Sequence, residues 1–144
     1  LQYVDDANAE IAALKSLDLR HAAVADARFR EALGEAAGTG TVQLTHYQPN
    51  ELHYTVESAK GGVVAFSEIY YPGWTATVDG KDVPVGRVNY VLRALRVEPG
   101  KHEVVLEFRP SSVTATSAVA YGSIFLIFAG FAFGLYRRLR PSKA

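Results

Sequence analysis

The sequence predicts a mainly β protein: an antiparallel immunoglobulin-like β-sandwich, preceded by a small N-terminal α/β segment and followed by a C-terminal transmembrane helix. Three observations lead to this fold class. From residue 41 onward, apolar and polar residues alternate in short runs, which is the period of half-buried strands. The first 38 residues instead space their apolar residues three or four apart, which indicates helices. No charged residue occurs from Pro110 to Tyr136, which is typical of a membrane span.

These patterns divide the 144 residues into four expected parts. Residues 1–38 form the helical or α/β segment, 39–113 the β-sandwich, 114–138 the transmembrane helix and 139–144 a basic cytoplasmic tail. The chain contains no methionine, so we expect it to begin inside a longer gene product.

The N-terminal segment is expected to hold two helices and a strand. The run DDANAEIAALKSLDLR predicts a helix capped by Asp6 or Asn8, because short polar side chains accept hydrogen bonds from the first turn. HAAVAD predicts one short strand. DARFREALG predicts a second helix, capped by Asp26 and ended by Gly34.

Seven runs with the period of a strand follow, separated by turns rich in Asn, Gly and Pro. The runs are TVQLTHYQ, ELHYTVES, GGVVAFSEIYY, WTATV, VPVG, NYVLRALRV and KHEVVLEF. Many short strands at this spacing predict an antiparallel sandwich of the immunoglobulin-like kind.

The last two runs are expected to form a hairpin around Pro99-Gly100, and its register decides where Arg93 points. A two-residue turn places Arg93 on the inner face opposite Leu106, whereas a three-residue loop turns it outward. Proline is disfavoured at the second central position of a type I turn, which favours the first register. An inward Arg93 needs a partner, and Glu68 is the candidate because it shares a face with Phe66. The sequence therefore predicts a largely buried Glu68–Arg93 ion pair.

The C-terminal segment has the features of a membrane anchor. Its apolar part, residues 118–136, spans roughly 28 Å as a helix, close to the hydrocarbon thickness of a bilayer. Tyr121 and Tyr136 lie near its ends, where aromatic side chains favour the membrane interface. Gly130 and Gly134 are spaced for close approach of another helix, or are simply tolerated in lipid.

The basic residues that follow this segment predict its orientation. Arg137, Arg138, Arg140 and Lys143 place the C-terminus in the cytoplasm by the positive-inside rule, which leaves residues 1–113 outside it. The whole chain has 15 basic and 15 acidic residues, so the part before this basic cluster is acidic. An acidic domain argues against nucleic-acid binding.

The stretch EIYYPGWTATVDGKDVPV concentrates the residues that could carry function. Tyr70, Tyr71 and Trp74 could stack on a sugar ring or lie at a membrane interface. They could equally fill the core beside the Pro72-Gly73 corner, and alternation puts Tyr70 and Tyr71 on opposite faces. Both interpretations stay open, with these three residues as the candidate ligand-binding set.

Catalytic and metal sites are not predicted. Glu68, Asp79 and Asp82 could supply a glycosidase-like carboxylate pair, but Asp79 and Asp82 bracket a turn in which Asp-Gly serves the backbone. The histidines have no ligand spacing that indicates a metal; they are His21, His46, His53 and His102. The chain has no cysteine, which excludes disulfides, thiolate catalysis and zinc ribbons. No cofactor is expected.

The order of motifs in residues 67–110 resembles the C-terminal region of the YfhO family of bacterial multi-pass membrane proteins. The motifs are YYPGW, DGK, N-Y-x-L-R-A, P-G-K-H and F-x-P before a final membrane helix, and VDDANAEIAALKSLDLRHAAV upstream is also similar to that family. The resemblance implies a many-helix protein of the bacterial cytoplasmic membrane, related to glycosyltransferases that use lipid-linked sugars. In such proteins the catalytic loops lie upstream of the region present here.

The resemblance therefore implies that this chain is a non-catalytic extracytoplasmic accessory domain with the last membrane helix of a glycosyltransferase. Its expected partners are the lipid bilayer, the remaining membrane helices of the parent protein, and a glycan or lipid-linked sugar. Two alternatives remain: a membrane-anchored module that binds a glycan or a partner without an enzymatic role, and a structural docking domain without a ligand.

Overall fold

The computed structural model describes residues 1–36 and 38–139. The chain divides into two compact units, one comprising Leu1–Arg109 and the other beginning at Pro110. The predictions for Arg140, Lys143 and most of the basic tail lie outside the described residues.

The N-terminal segment contains the two expected helical stretches and a pair of short parallel strands. The elements are β1 (Gln2–Val4), α1 (Ala7–Leu14), β2 (Val24–Asp26), a 3₁₀ turn (Ala27–Phe29) and α2 (Arg30–Leu33). Asp6 caps α1 by accepting a 2.8 Å hydrogen bond from the Ala9 N–H. Asp26 caps the 3₁₀ turn, and α2 ends at Gly34, whose φ of 63° suits glycine. Strand β1 was not predicted.

Eight further strands form two antiparallel sheets, so the prediction of a mainly β protein is confirmed. They are β3 (Gly40–Gln48), β4 (Glu51–Ser58), β5 (Gly62–Ile69), β6 (Trp74–Val78), β7 (Lys81–Val83), β8 (Gly86–Val88), β9 (Leu92–Val97) and β10 (Gly100–Phe108). A five-stranded sheet has the order β3-β4-β10-β6-β7, and a three-stranded sheet has the order β5-β9-β8.

One hydrophobic cluster draws side chains from both sheets. Its buried members are Leu52, Val56, Phe66, Ala76, Leu95, Val97, Val104 and Leu106. In β10, Val104 and Leu106 are buried while Glu103 points outward, as the alternation predicts. Full burial of a side chain such as Leu106 contributes about 1.5–3 kcal/mol.

The N-terminal segment covers the other face of the three-stranded sheet. A second buried cluster joins Ala25 and Leu33 of that segment to Val88 and Ala94 of the sheet. The contact is close at Gly86, where an added Cβ would lie 2.7 Å from Leu33 Cδ2. Because both faces of β9 are covered, its residues Arg93–Leu95 are all buried.

The predicted hairpin between the last two strands is wrong. β9 pairs with β5 and β8, whereas β10 pairs with β4 and β6, so the chain crosses from one sheet to the other at Pro99-Gly100. A Pro-Gly pair suits a sheet crossing as well as a tight turn, and Gly100 has a φ of 132° that favours glycine. Arg93 nevertheless faces the shared core, because it lies two residues from Leu95 on the same face.

The second unit contains α3, an apolar helix of 29 residues from Ser111 to Leu139. It is the one helix among the described residues long and apolar enough to cross a membrane. The hydroxyl of Ser123 donates to the Val119 carbonyl at 2.9 Å, so this polar group is satisfied within the helix, as lipid requires. The expected C-terminal apolar helix is confirmed.

Candidate functional site

Arg93 lies between the two sheets, and its side chain is almost completely buried. Its side chain is 2% exposed, and Nη2 donates to Glu68 Oε2 at 3.0 Å. The guanidinium also lies 3.8 Å from the ring centre of Trp74, a cation–π geometry. Burial lowers the pKa of Arg93, and the charge of Glu68 opposes that effect. The structure thus brings Glu68, Arg93 and Trp74 together.

This ion pair is less enclosed on its acidic side than the sequence predicted. Glu68 is 37% exposed and faces a cavity of about 280 Å³ between β3, β4 and β5. Tyr54 lines the same cavity, and burial raises the pKa of its hydroxyl. Among the described residues, Nε and Nη1 of Arg93 have no hydrogen-bond partner. The arrangement anchors Arg93 and leaves the other side of the Glu68 carboxylate exposed to solvent.

Two of the three aromatic residues of YYPGW pack on the same ring, and Tyr70 packs elsewhere. Tyr70 packs edge-on against Phe29, with ring centres 5.6 Å apart. Trp74 packs against Arg93, and Trp74 and Tyr71 both pack against Phe108, with ring centres 5.5 and 6.1 Å from it. Tyr71 is nevertheless 62% exposed. The three side chains therefore cannot form one stacking platform, and only Tyr71 offers most of its ring to solvent.

The DGK and PGKH motifs meet in space. Asp79 Oδ2 lies 2.7 Å from His102 Nδ1, and Asp79 Oδ1 accepts from the Glu103 N–H at 2.9 Å. His102 Nε2 lies 3.0 Å from the Glu98 carbonyl oxygen. Both neighbours of the ring are acceptors, so the doubly protonated imidazolium satisfies both. The hydrogen bond to Asp79 raises the pKa of His102, and the same bond lowers the pKa of Asp79.

Asp79 and Asp82, which were considered for acid–base chemistry, each have a structural position in the β6–β7 hairpin. Asp79 and Gly80 have φ of 51° and 76°, the conformation of a two-residue hairpin turn between β6 and β7. Asp82 is exposed on β7 and pairs in register with Thr77. The hydrogen bond from His102 lowers the pKa of Asp79, the opposite of what a general acid requires.

A buried glutamate that sequence reasoning missed holds the N-terminal segment on the sheet. Glu10 is fully buried; Oε2 accepts from Arg87 Nη2 at 2.7 Å and Oε1 from the Tyr90 N–H at 2.7 Å. Asn89 binds Val24 twice, through its side-chain oxygen at 3.0 Å and its own N–H at 2.7 Å.

These contacts give the N-Y motif a structural explanation. Asn89 and Tyr90 have φ of 50° and 69°, a left-handed backbone that is unusual for tyrosine. In this conformation the two N–H groups reach Val24 and Glu10. No signal in the sequence indicates this role for the N-Y motif, because the left-handed conformation of Tyr90 is visible only in the structure.

The histidines do not form a metal centre in the described residues, which hold no group of three ligating side chains suited to an ion. His46 and His53 rings lie 5.2 Å apart. His53 Nε2 contacts Glu51 Oε1 at 2.7 Å, and this bond raises the pKa of His53. His21 is exposed in the turn between α1 and β2.

The predicted anchor residues all lie on α3. Tyr121, Gly130, Gly134, Tyr136, Arg137 and Arg138 are exposed within this unit. A Cβ added at Gly130 or Gly134 would meet nothing within 4 Å, so this side of the helix is open. Contact of the glycines with another helix stays a prediction.

An antiparallel β domain followed directly by an apolar spanning helix defines a membrane protein with a folded extramembrane part. The model of the family described as bacterial membrane protein YfhO matches residues 14–120, more than two thirds of the chain. The chain belongs to the YfhO family, and the bilayer is therefore its environment. No curated protein matches the chain, and no solved structure does.

Proposed function

We propose that the chain is a non-catalytic extracytoplasmic accessory domain, together with the last membrane helix, of a membrane glycosyltransferase that uses lipid-linked sugars. One observation supports the proposal that the domain is not catalytic: its buried or hydrogen-bonded carboxylates are paired with cationic side chains. Glu10 is bound by Arg87, Glu68 by Arg93 and Asp79 by His102. Each of these carboxylates is already engaged by a cationic side chain of the fold, which suits a structural role and not that of a proton donor.

The same reasoning supports a division of labour within the parent protein. Donor binding and proton transfer would belong to the upstream membrane loops that the family resemblance implies. The two sheets packed on one cluster would form the immunoglobulin-like sandwich, with the N-terminal segment as a cover on its outer face. Such a domain would position an acceptor or stabilise the membrane bundle.

The catalytic assignment is tested in the intact protein. Asp79→Asn, Asp82→Asn and Glu68→Gln should each retain sugar transfer from a lipid-linked hexose, provided that far-UV circular dichroism shows a native fold. The 144-residue chain alone should transfer and hydrolyse no sugar. Turnover by that chain would overturn the proposal, and so would a natively folded variant without activity.

The orientation is tested separately. Because the chain lacks cysteine, Lys60→Cys and Lys143→Cys each introduce a unique thiol. A membrane-impermeant maleimide should label Lys60→Cys in intact cells, but Lys143→Cys only after permeabilisation. The reverse pattern would place residues 1–113 in the cytoplasm.

A second candidate is a membrane-anchored glycan-binding module without enzymatic role. The cavity beside Glu68 favours it, because a carboxylate and an aromatic wall at Tyr54 suit the hydroxyls and the apolar face of a sugar. Titration of the chain with soluble hexose oligosaccharides should then shift the NMR signals of Tyr54, and Glu68→Gln should weaken binding. Unchanged spectra at millimolar sugar would rule this candidate out for those sugars.

A further inference from the structure

Exposed apolar side chains gather at one end of the Leu1–Arg109 unit. We call them the tyrosine surface, and its members are Tyr47, Ile69, Tyr71, Tyr90 and Val91. Tyr47 is 65% exposed and Ile69 69%. Large apolar side chains this exposed need an explanation when they occur together.

Three backbone hydrogen bonds join the loops next to these residues to each other and to the end of β10. Tyr70 N–H donates to the Val91 carbonyl at 2.7 Å, which brings the turn after β5 to the turn before β9. Phe108 N–H donates to the Asn50 carbonyl at 2.9 Å, and Arg109 N–H to the Gly73 carbonyl at 2.7 Å. The loops that flank the tyrosine surface therefore lie at the same end of the unit as the end of β10.

The opposite end of the same sheets is different in character. It consists of the turns at residues 58–62, 79–81 and 98–101, which carry Lys60, Asp79, Glu98 and Lys101. None of the exposed large apolar side chains among the described residues lies in these turns. The others outside α3 lie on the N-terminal segment, at Ile11 and Leu19, and on β3, at Val42 and Leu44.

The chain leaves β10 at its tyrosine end and continues directly into the apolar helix. Only Pro110 separates Arg109 from Ser111, the first residue of α3. The polar first turns of α3, residues 111–117, precede its apolar part, which begins at Ala118. The end of β10 is therefore the part of the domain that the shortest stretch of chain joins to the segment that enters lipid. Tyrosine, with an apolar ring and a polar hydroxyl, is enriched at that depth.

From this asymmetry and this connection we propose that the tyrosine surface contacts the lipid–water interface of the bilayer. Tyr47 and Tyr71, which are 65% and 62% exposed, insert their rings among the lipid headgroups. Ile69, Val91 and the exposed part of Tyr90, whose ring lies 5.1 Å from the Arg87 guanidinium, add apolar area. The charged turns at the other end remain in water. The proposal depends on membrane insertion of α3 but not on sugar transfer or on which side of the membrane the domain occupies.

The test uses unique cysteines in the full chain, reconstituted in nanodiscs of phosphatidylethanolamine and phosphatidylglycerol. Tyr47→Cys, Tyr71→Cys and Val91→Cys probe the surface; Lys60→Cys and Lys81→Cys are exposed controls at the far end. Each thiol carries a nitroxide, whose relaxation by oxygen reports lipid and whose relaxation by a water-soluble nickel chelate reports solvent. Surface substitutions of this kind have little effect on stability, and circular dichroism verifies the fold.

We expect the ratio of oxygen to nickel accessibility to be several-fold higher at positions 47, 71 and 91 than at 60 and 81. Equal ratios at the two ends would overturn the proposal. The same labels in the intact protein in its native membrane provide a second measurement. If positions 47 and 71 were shielded there from oxygen as well as nickel, protein would cover the surface, and the assignment to lipid would fall.

Discussion

Replacing Glu10 by alanine should loosen the N-terminal segment from the β sheet. The side chain is fully buried and is held by the Arg87 guanidinium and the Tyr90 N–H, each at 2.7 Å. In the variant both donors lose their acceptor, and Arg87, with 14% of its side chain exposed, can regain only part of its hydration. The perturbation thus leaves a buried charge without its counterion.

The magnitude follows from these contacts. Removal of one partner from a buried ion pair costs about 3–5 kcal/mol, and the limited exposure of Arg87 points to the lower end, about 3 kcal/mol. For a unit of this size, about 4 °C of melting temperature corresponds to each kcal/mol, so Tm should fall by about 12 °C. Glu10→Gln keeps an acceptor for Tyr90 but loses the charge, and should cost about 2 kcal/mol, within the range of a hydrogen bond to a charged group.

The assay is urea denaturation of the full chain in detergent micelles. Trp74 is the only tryptophan and packs between the sheets, so its fluorescence reports unfolding of the core. Circular dichroism follows the N-terminal helices in the same samples. Glu31→Ala is the matched control, because Glu31 lies exposed on α2 and its loss should change stability by less than about 0.5 kcal/mol.

A double variant separates the ion pair from simple loss of packing. If the pair is coupled, Glu10→Ala combined with Arg87→Ala should cost less than the sum of the two single changes. Stability of Glu10→Ala equal to that of Glu31→Ala would show that the contact does not hold the segment in place. Strict additivity in the double variant would refute the electrostatic reasoning.

Two further predictions concern the sheets themselves. Glu68→Ala should lower stability by about 3 kcal/mol in urea denaturation because it leaves the buried Arg93 unpaired, whereas Arg93→Leu, which removes the charge and keeps apolar bulk, should cost less; the opposite order would contradict this account. His102, whose pKa is raised above 6.5 by Asp79, contributes stability that is complete below pH 6.5 and is lost as pH rises through the folded-state pKa. Asp79, whose pKa is lowered below 3.8, contributes stability above pH 3.8 that is lost as pH falls through its folded-state pKa. Melting temperatures from pH 5 to 9 should therefore decline less steeply for His102→Gln than for the unchanged chain, with His53 responsible for the remaining slope; equal slopes would refute a role for His102.

Much of the fold could be predicted because local patterns specify it. Alternation in β10 correctly separates buried Val104 and Leu106 from exposed Glu103, and short polar side chains cap α1 and the 3₁₀ turn where expected. The pairing of β9 could not be predicted, since Pro99-Gly100 permits both a hairpin and a crossing between sheets. Alternation with a period of two specifies the face on which a side chain lies, but not which strand is its neighbour. The prediction that Arg93 faces the core is therefore correct, although the predicted hairpin is wrong.

A contact in the candidate site could be predicted from the sequence only where knowing which face of a strand each residue occupies was enough to place the two residues together. Glu68 and Arg93 meet because both face the same core. Glu10 and Arg87 are 77 residues apart in sequence, and nothing local to either indicates that the first helix lies on the outer face of the three-stranded sheet. The separation of Tyr70 from Tyr71 and Trp74 likewise depends on Phe29 and Phe108, which tertiary packing alone brings near them.

The central position of β10 has a consequence for synthesis of the protein. β10 is the last strand of the domain to be translated, yet it lies between β4 and β6. Until it is made, the five-stranded sheet exists only as two separate hairpins, β3–β4 and β6–β7, each with an unpaired edge that invites aggregation. The strand that joins them leaves the ribosome immediately ahead of the apolar helix. Completion of the sheet and insertion of the helix therefore fall in the same interval of translation. A chain released before residue 108 would carry open sheet edges on β4 and β6 and would lack α3.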